Sequence, residues 1–300
     1  MKILITGGSG LLGSATAAFF KNYYSTFITY TNNKVSIGGC EAYRLDITNK
    51  EEVFKVIWAI RPDFIIHTAA LTGVGICENN KELAYNINVN GTRHIAEAAD
   101  KINSRIVHIS TDYVFDGKKG MYKETDKPNP LNYYAKTKLE AEKLINKNHA
   151  IIRTSIYGWN IIKERKNFAT FILEGLENNK KIDIFEDQYN AIILANNLAE
   201  ALKEIVDKNK KGIYNIGGSE RQSKYEFALK LADVFELNKG LINPISINDA
   251  EDKAQRPPDV SLDSTKAKKE LNVKLLNIEE GLELMKKLRD ENYLGQFRTS

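Results

Sequence analysis

A tyrosine and a lysine four residues apart are the side chains with the clearest potential for chemistry. They are Tyr134 and Lys138, in the stretch Tyr134-Ala-Lys-Thr-Lys138. On a helix this spacing places both side chains on one face, one turn apart. An ammonium group beside a phenol favours the phenolate, so we expect Lys138 to lower a tyrosine pKa that is ordinarily about 10. A tyrosine of that kind can pass a proton to or from a substrate oxygen.

A threonine hydroxyl is expected to lie close to this pair. The apolar run at 106–109 predicts a buried parallel strand, and Thr111 follows at its carboxyl end. A polar loop then leads into the helix that carries the tyrosine. Thr111 could therefore hold the same substrate oxygen as Tyr134. Together with Lys138, these residues outline a site that interconverts a carbonyl and an alcohol, provided that a hydride carrier binds nearby.

A glycine-rich turn near the start of the chain is a candidate site for that carrier. The run at 1–5 predicts a buried strand, and Gly7, Gly10 and Gly13 connect it to a helical pattern at 14–20. Such glycines permit a tight turn and a close approach to a pyrophosphate at the start of a helix. An ordinary glycine turn is the alternative, but the position between the first strand and the first helix favours a dinucleotide. We assign to cofactor binding Gly7, Gly10, Leu11, Leu12 and Gly13.

The stretches around these residues resemble the extended short-chain dehydrogenase/reductase family. Within it they are most similar to the dTDP-4-dehydrorhamnose reductase branch. The most specific stretches are STDYVFDG at 110–117 and ETDKPNPLNYYAKTK at 124–138. The others are TGGSGLLG at 6–13, LDIT at 45–48, PDFIIHTAALT at 62–72, AYNINVNGT at 84–92 and RTSIYG at 153–158. The resemblance therefore extends over most of the chain.

The fold class that the pattern indicates is α/β. Apolar strands alternate with helical segments, which predicts a doubly wound parallel sheet with helices on both faces. The resemblance implies a Rossmann domain at 1–160 that binds NAD(P), with a later contribution from about 190–220. Residues 161–300 would then form most of a smaller α/β substrate-binding domain. We expect the polar tail at 293–300 to be mobile.

The choice between NADP and NAD depends on the loop after the second predicted strand. An NAD site normally has Asp or Glu there for the ribose 2′-hydroxyl, but this loop reads Thr31-Asn-Asn-Lys34. Lys34 could meet a 2′-phosphate, although a solvated loop lysine would also explain it. We therefore predict that NADP is preferred and that NAD is possible.

The resemblance implies further cofactor contacts. Asp46 and Ile47 would bind the adenine, and the small Ala69 and Ala70 would let the cofactor pass over the end of the fourth strand. Alternatively, Asp46 caps the helix that follows it. His67, which lies in the fourth strand, is expected to pack within the sheet rather than act as a base.

Residues at the substrate are also implied by the resemblance. Besides Thr111 they are Asp112, Tyr113, Trp159, Asn167 and Arg256. Arg256 would hold a diphosphate in bidentate fashion, with a structural salt bridge as the alternative. Trp159 and Tyr157 would wall the pocket, or pack in a core. The chain departs from the family at Gly75, where an acidic residue is expected, and this departure affects the predicted sugar specificity.

The composition argues against several classes of protein. The chain has 300 residues, with 43 basic and 39 acidic side chains, and its net charge of +4 is too mild to indicate a nucleic-acid footprint. The two cysteines, Cys40 and Cys77, form no motif for a disulfide scaffold or a zinc site, and we expect no metal. Without a membrane-spanning run or a leader pattern, we expect a cytoplasmic protein. A homodimer is possible.

The activity that the resemblance implies is NAD(P)H-dependent reduction of the 4-keto group of a nucleotide-linked 6-deoxy sugar. The specific reaction would convert dTDP-4-dehydrorhamnose to dTDP-L-rhamnose. Another nucleotide-sugar epimerase or reductase of the family remains an alternative. A dehydratase is disfavoured because Asp112 is followed by Tyr113 rather than Glu. A non-catalytic NADP-binding regulatory subunit, like the β subunit of methionine adenosyltransferase, is a further alternative, and a purely structural Rossmann protein is the weakest.

Overall fold

The computed structural model of the chain describes residues 1–249 and 255–299. Its strands are β1 Lys2–Thr6, β2 Ser25–Tyr30, β3 Val35–Ile37, β4 Cys40–Arg44, β5 Phe64–His67, β6 Arg105–Thr111, β7 Ala150–Thr154, β8 Ile156–Tyr157, β9 Ile182–Phe185, β10 Tyr189–Asn190, β11 Ile193–Leu194, β12 Gly212–Asn215, β13 Gln222–Ser223, β14 Ile242–Ile245 and β15 Phe297–Thr299. Its α-helices are α1 Leu11–Phe20, α2 Lys50–Ile60, α3 Val74–Asn79, α4 Lys81–Tyr85, α5 Gly91–Lys101, α6 Tyr133–Glu142, α7 Phe168–Glu177, α8 Ala195–Asp207, α9 Lys224–Val234, α10 Thr265–Glu270 and α11 Ile278–Asp290.

A central parallel sheet organises the first part of the chain. Its seven strands lie in the order β12-β7-β6-β5-β1-β2-β4. Successive side chains of β1 point to opposite faces of the sheet: Ile3 and Ile5 belong to the first hydrophobic core, which α1 and α8 complete, and Leu4 faces the side that α2 and α5 cover. The strand order reverses between β1 and β5, where ligands of such sheets usually bind. The predicted doubly wound α/β fold is confirmed.

Helix α6 carries the predicted catalytic pair. It begins after Asn132, whose side chain accepts a hydrogen bond from the backbone N–H of Ala135 at 3.0 Å. The helix ends at Glu142. The following amides bond to carbonyls only three residues earlier, as Ile145 does to Glu142 at 3.1 Å. The last turn is thus tightened instead of extended.

A π-helical turn connects α4 to α5. Helix α4 leads into this turn at Asn86–Asn90, and α5 follows directly. Within the turn, Asn88 exchanges two hydrogen bonds with the backbone of Leu71, at 2.8 and 3.0 Å. It also donates to the Thr137 hydroxyl on α6 at 2.9 Å. The side chain therefore joins the loop after β5 to the catalytic helix.

A second hydrophobic core lies in the later part of the chain. It is formed by α7, α9 and α11 together with the parallel pair β9 and β14. Between these segments, α8 and β12 return to the first core and the central sheet, and so do apolar residues of the α10 region. The two cores therefore alternate along the sequence.

The C-terminal tail forms a strand, so its predicted mobility is wrong for residues 293–299. Strand β15 pairs antiparallel with β3, with Phe297 opposite Ile37. Phe297 and Leu294 pack against the first core, and Lys21 donates to the Gln296 side chain at 3.1 Å. The polar composition concealed this pairing because its partner strand lies near the other end of the chain.

Candidate active site

The structure brings the side chains of Thr111 and Tyr134 together, close enough for the Thr111 hydroxyl to act on the pKa of Tyr134. Thr111 ends β6 and Tyr134 lies in the first turn of α6, so the sheet and the helix each supply one side chain. The Thr111 hydroxyl also donates to Asp112 Oδ1 at 3.1 Å and accepts from the backbone N–H of Tyr113 at 3.2 Å. Lys138 follows one turn after Tyr134 on the same helix. The three predicted catalytic residues thus lie at one edge of the sheet.

The pKa of Tyr134 is raised, contrary to the expectation that Lys138 would lower it. Burial has the largest effect, because it disfavours the phenolate. The neighbouring Thr111 side chain lowers the pKa, whereas the nearby Asp112 and Cys77 raise it further. The expectation considered only the lysine charge, and burial could not be known from the spacing. The phenol therefore stays protonated at neutral pH.

Lys138 lies in a buried environment beside two histidines. Its Nζ atom is 3.5 Å from Nε2 of His108, on β6. Burial lowers the pKa of Lys138 to about 8, while the charge of Glu142 raises it. The pKa of His108 is lowered well below its ordinary value by burial and by Lys138, so the ring is neutral and its Nε2 can accept a hydrogen bond.

His67 packs within the sheet, as predicted. Its Nδ1 lies 2.8 Å from the Thr6 hydroxyl and its Nε2 lies 3.1 Å from the Thr92 hydroxyl. Burial and the charge of Lys138 lower its pKa to about 3. With both nitrogens engaged, this histidine holds β1, β5 and α5 together.

The glycine-rich turn has the shape that a dinucleotide pyrophosphate requires. A Cβ on Gly7, whose φ is +70°, would lie 2.9 Å from the Cα of Ala69. A Cβ on Gly13 would lie 2.2 Å from the carbonyl oxygen of Gly7. The residue before α1, Gly10, offers no side-chain cap, so Leu11, Leu12 and their neighbours start the helix with amides available to an anion. These features fit a bound cofactor.

The loop between β2 and β3, which would lie next to the ribose 2′ position of a bound cofactor, contains no acidic residue. Lys34 is exposed there, directly before β3. The register of the sheet adds a residue that the sequence analysis did not consider, because Arg44 lies opposite Tyr30 at the ends of β4 and β2. From the sequence alone, Arg44 could not be placed beside the loop that carries Lys34, because this depends on the pairing of β4 with β2. Two cations therefore flank this edge.

Asp46 does not cap α2, so that alternative is wrong. The cap is Asn49, whose side chain accepts from the amides of Glu51 and Glu52. Asp46 instead accepts from the amide and hydroxyl of Thr48 at 2.9 and 2.8 Å. Ile47 is buried. Ala69 and Ala70 are half-buried at the end of β5, beside the glycine-rich turn.

Three of the residues expected around the substrate have other contacts. The Trp159 indole donates to the carbonyl of Met285 at 2.8 Å and packs against the second core. Tyr157 is fully buried in that core, so it does not wall a pocket. Asn167 caps α7 with its side-chain oxygen and donates to the carbonyl of Gly158 at 2.8 Å. For Trp159 the packing alternative is supported.

Gln188 joins the remaining substrate residues. Its amide donates to the Tyr113 hydroxyl at 3.3 Å and to the carbonyl of Pro257 at 3.2 Å. The segment after Thr111 and the loop that carries Arg256 are thereby held together. Burial raises the pKa of Asp112 to about 7, while its hydrogen bond with Thr111 and the charge of Lys224 lower it.

Lys224 is a residue of this site that the sequence analysis missed. It is the first residue of α9, after a capping box of Ser223 and Glu226. Its Nζ lies 5.0 Å from the ring of Phe168, and burial, together with the charge of Arg256, lowers its pKa to about 8. The capping-box pattern in the sequence predicts where α9 begins, but it does not show which distant residues lie next to Lys224.

Helix α3 meets the catalytic helix. Glu78 accepts a hydrogen bond from the backbone N–H of Tyr133 at 2.6 Å. Gly75, on the same short helix, is exposed, and a Cβ there would meet nothing within 4 Å.

Within residues 1–249 and 255–299, no three His, Cys, Asp or Glu side chains are grouped so that they could hold a metal ion. None of the described helices is long and apolar enough to span a bilayer.

Comparisons with known proteins agree on one family. The model of the RmlD substrate binding domain matches residues 1–289. The chain is 36% identical over 281 residues to a dTDP-4-dehydrorhamnose reductase of Aggregatibacter actinomycetemcomitans, covering 88% of this chain and 91% of that protein. It is 29% identical over 278 residues to methionine adenosyltransferase 2 subunit beta of Bos taurus, covering 88% and 81%. It also resembles the solved structure of dTDP-4-dehydrorhamnose reductase from Bacillus anthracis in complex with NADP, with a TM-score of 0.85, 28% identity and coverage of 95% and 98%.

Proposed function

The chain belongs to the RmlD substrate-binding domain family, and on that premise we propose that it is an NAD(P)H-dependent reductase of nucleotide sugars. Its substrate carries a 4-keto group on a 6-deoxy hexose, and the favoured reaction converts dTDP-4-dehydrorhamnose to dTDP-L-rhamnose. The observation that carries the proposal is the placement of the Thr111 side chain next to Tyr134, with Lys138 one turn further along α6. The names of the similar reductases support the same substrate class.

The residues proposed to hold the cofactor lie around the crevice between β1 and β5. They are Gly7, Gly10, Leu11, Leu12, Gly13, Lys34, Asp46, Ile47, Ala69, Ala70, Tyr134 and Lys138. When bound, the nicotinamide supplies a hydride for the substrate carbon. NADP is the preferred form, because Lys34 and Arg44 flank the adenosine edge without a carboxylate in the loop, and because a similar reductase binds NADP. NAD remains a second possibility.

The protein residues supply position and a proton. Tyr134 donates its proton to the oxygen that becomes the alcohol, and its raised pKa keeps it in the protonated form that a reduction requires. Thr111 orients the Tyr134 hydroxyl and is itself held by Asp112. The ammonium of Lys138 stabilises the phenolate that remains after donation. Asp112, Tyr113 and Arg256 face the substrate, whereas Trp159 packs against the second core and Asn167 caps α7.

Enzyme assays separate this function from its rivals. We expect rapid oxidation of NADPH, followed by the absorbance of reduced nicotinamide, when a dTDP-4-keto-6-deoxy hexose is supplied. Oxidation of NADH should be slower, and dTDP-glucose, which has no ketone, should give none. Tight NADPH binding, with no oxidation of NADPH when any nucleotide keto sugar is supplied, would contradict the reductase. Co-purification with a methionine adenosyltransferase would then favour the regulatory-subunit alternative.

The finer assignments around this function stay predictions. They include the cytoplasmic location, the possible homodimer and the division into a cofactor-binding and a substrate-binding domain. The two hydrophobic cores support such a division, because α7, α9 and α11 pack apart from the helices of the central sheet.

A further inference from the structure

Two histidines, His67 and His108, lie side by side on neighbouring strands close to Lys138. They are opposite each other in the register of β5 and β6, and their ring centres are 5.3 Å apart. Both rings are buried. On β7 the residue opposite His108 is Ile151, which belongs to a hydrophobic core. A polar ring in such surroundings is costly unless its nitrogens have partners.

The hydrogen bonds of His67 determine which of its nitrogens carries the proton. The Thr92 hydroxyl donates its only hydrogen to the carbonyl oxygen of Asn88 at 2.7 Å. It must therefore accept a hydrogen bond from Nε2 of His67, at 3.1 Å. Thr6 then donates to Nδ1 at 2.8 Å, while its own oxygen accepts from the amide of Ala69 at 3.3 Å. His67 is thus in the neutral Nε2–H form, and both of its nitrogens are engaged.

His108 takes the opposite form because of its contact with Lys138. Its Nε2 lies 3.5 Å from Nζ of Lys138, which is long for a hydrogen bond, and its Nδ1 is buried with no hydrogen-bond partner within residues 1–249 and 255–299. An ammonium can only donate, so it favours a ring nitrogen with a lone pair over one that carries a hydrogen. The contact therefore selects the Nδ1–H form of His108. The unpaired Nδ1–H is a cost to stability, which indicates that the ring is retained for its contact with the lysine.

The other groups around Lys138 are committed to partners of their own. Glu142, one turn later on α6, raises the pKa of Lys138, but both of its carboxylate oxygens accept from Arg153. His67, on β5, has its pKa lowered by the charge of Lys138, and its nitrogens are bound to two threonines. On the side of the sheet, Nε2 of His108 is thus the acceptor that can hold the ammonium.

We propose that His108 is a positioning residue for the reduction: its Nε2 accepts a hydrogen bond from the Lys138 ammonium and fixes it against the sheet. The remaining N–H groups of the lysine are thereby directed away from β6 and stay available to the cofactor and to Tyr134. The inference rests on the proposed function, because it takes Lys138 to act on both of them. A side chain of similar size without an acceptor at this point would fill the space but would not orient the ammonium.

Variants that replace one ring nitrogen at a time test this role. The side-chain amide of Gln reaches the position of the histidine Nε2, whereas that of Asn reaches the position of Nδ1. His108→Gln should retain most of kcat/KM, while His108→Asn and His108→Leu should lose about tenfold or more, the usual effect of one hydrogen bond to a charged group. In the latter two variants the alkaline fall of kcat/KM should also move to lower pH by about one unit, because the protonated lysine loses an acceptor.

Nitrogen-15 NMR of the histidine rings gives a readout that requires no turnover. The chain has four histidines, so replacing each in turn assigns the spectrum. At pH 7 we expect the neutral Nδ1–H form for His108 and the neutral Nε2–H form for His67. Lys138→Met should shift the Nε2 resonance of His108. Lys136→Met, at an exposed position of the same helix, is the matched control and should leave that resonance in place.

The contrary results are equally distinct. Equal kcat/KM and equal pH profiles for the Gln, Asn and Leu variants, with thermal midpoints showing that all three fold, would reduce His108 to a packing role. An Nε2–H form of His108, or an Nε2 resonance that Lys138→Met does not move, would overturn the inference even in an active reductase and even if the variants at 108 fail to fold. If the expected NMR result is found in a protein that never oxidises NADPH with a nucleotide keto sugar, the reductase proposal fails while the hold of His108 on Lys138 stands.

Discussion

Glu142 and Arg153 form a buried, two-point ion pair between α6 and β7. The Arg153 Nε donates to Glu142 Oε1 at 3.0 Å and its terminal nitrogen donates to Oε2 at 2.7 Å. Ser110 also donates to Oε1, at 2.5 Å. Because Glu142 follows Lys138 by one turn, the carboxylate that docks the helix on the sheet also acts on the lysine of the site.

Glu142→Gln should destabilise the fold by ~3 kcal/mol, because it leaves the Arg153 charge buried without its counter-ion. Urea unfolding measures this loss as a lower midpoint. Glu140→Gln is the matched control, since Glu140 lies on the exposed side of the same helix and pairs with Lys143. A Glu142→Gln midpoint equal to that of the control would contradict a stabilising role for the pair.

The kcat/KM of the reductase should fall above about pH 8, where Lys138 loses its proton. Because Glu142 raises the pKa of Lys138, Glu142→Gln should move this alkaline limb to lower pH. The free energy of unfolding should change in the opposite direction. The pKa of Lys138 in the folded protein lies below its ordinary value of 10.5, so between about pH 8 and 10.5 the unfolded chain binds more protons at this residue than the folded chain. The contribution of Lys138 to the free energy of unfolding therefore rises with pH over this range. If Glu142→Gln leaves the alkaline fall of kcat/KM at the same pH, that fall reports the titration of a group other than Lys138.

Tyr134→Phe should reduce turnover by ~10²-fold or more and leave cofactor binding nearly intact, because only the proton donor is removed. Initial rates with saturating NADPH, together with fluorescence titration of the cofactor, measure both quantities. Tyr133→Phe is the control: its ring lies near Lys81 and its hydroxyl has no assigned role. Near-normal turnover of Tyr134→Phe would exclude it as the acid.

Lys34→Glu should weaken NADPH far more than NADH, since a carboxylate repels a 2′-phosphate and tolerates a 2′-hydroxyl. The ratio of the two dissociation constants is the measurement. Lys55→Glu, on the exposed surface of α2, changes the net charge equally and should leave that ratio unchanged. If Lys34→Glu weakens the binding of NADPH and NADH equally, Lys34 does not contact the 2′-phosphate.

Deletion of residues 293–300 should lower the thermal midpoint and weaken NADPH binding, because β15 pairs with β3 immediately after the loop that carries Lys34. Leu294 and Phe297 would also leave the first core. Differential scanning calorimetry and a cofactor titration measure the two effects. A truncated chain with unchanged stability and affinity would mean that the β15–β3 pairing contributes little.

The local sequence pattern was sufficient to predict the central sheet and the grouping of Thr111, Tyr134 and Lys138, because apolar runs and helical spacing are properties of short segments. Contacts between distant segments were not accessible in the same way. The packing of Lys224 against Phe168, the pairing of β15 with β3 and the use of Asn167 as a helix cap all depend on tertiary structure. The raised pKa of Tyr134 has the same origin, since burial is decided by the whole fold.

The π-helical turn at Asn86–Asn90 fixes the rotational phase between α4 and α5. One residue corresponds to about 100° of rotation about a helix axis. Removing a residue from the turn would therefore rotate the buried face of α5, with Ile95 and Ala99, away from the sheet, or else pull Asn88 away from Leu71 and Thr137. Chain length in this segment is thus constrained at both ends, and single-residue insertions or deletions should be tolerated in neighbouring loops but not here.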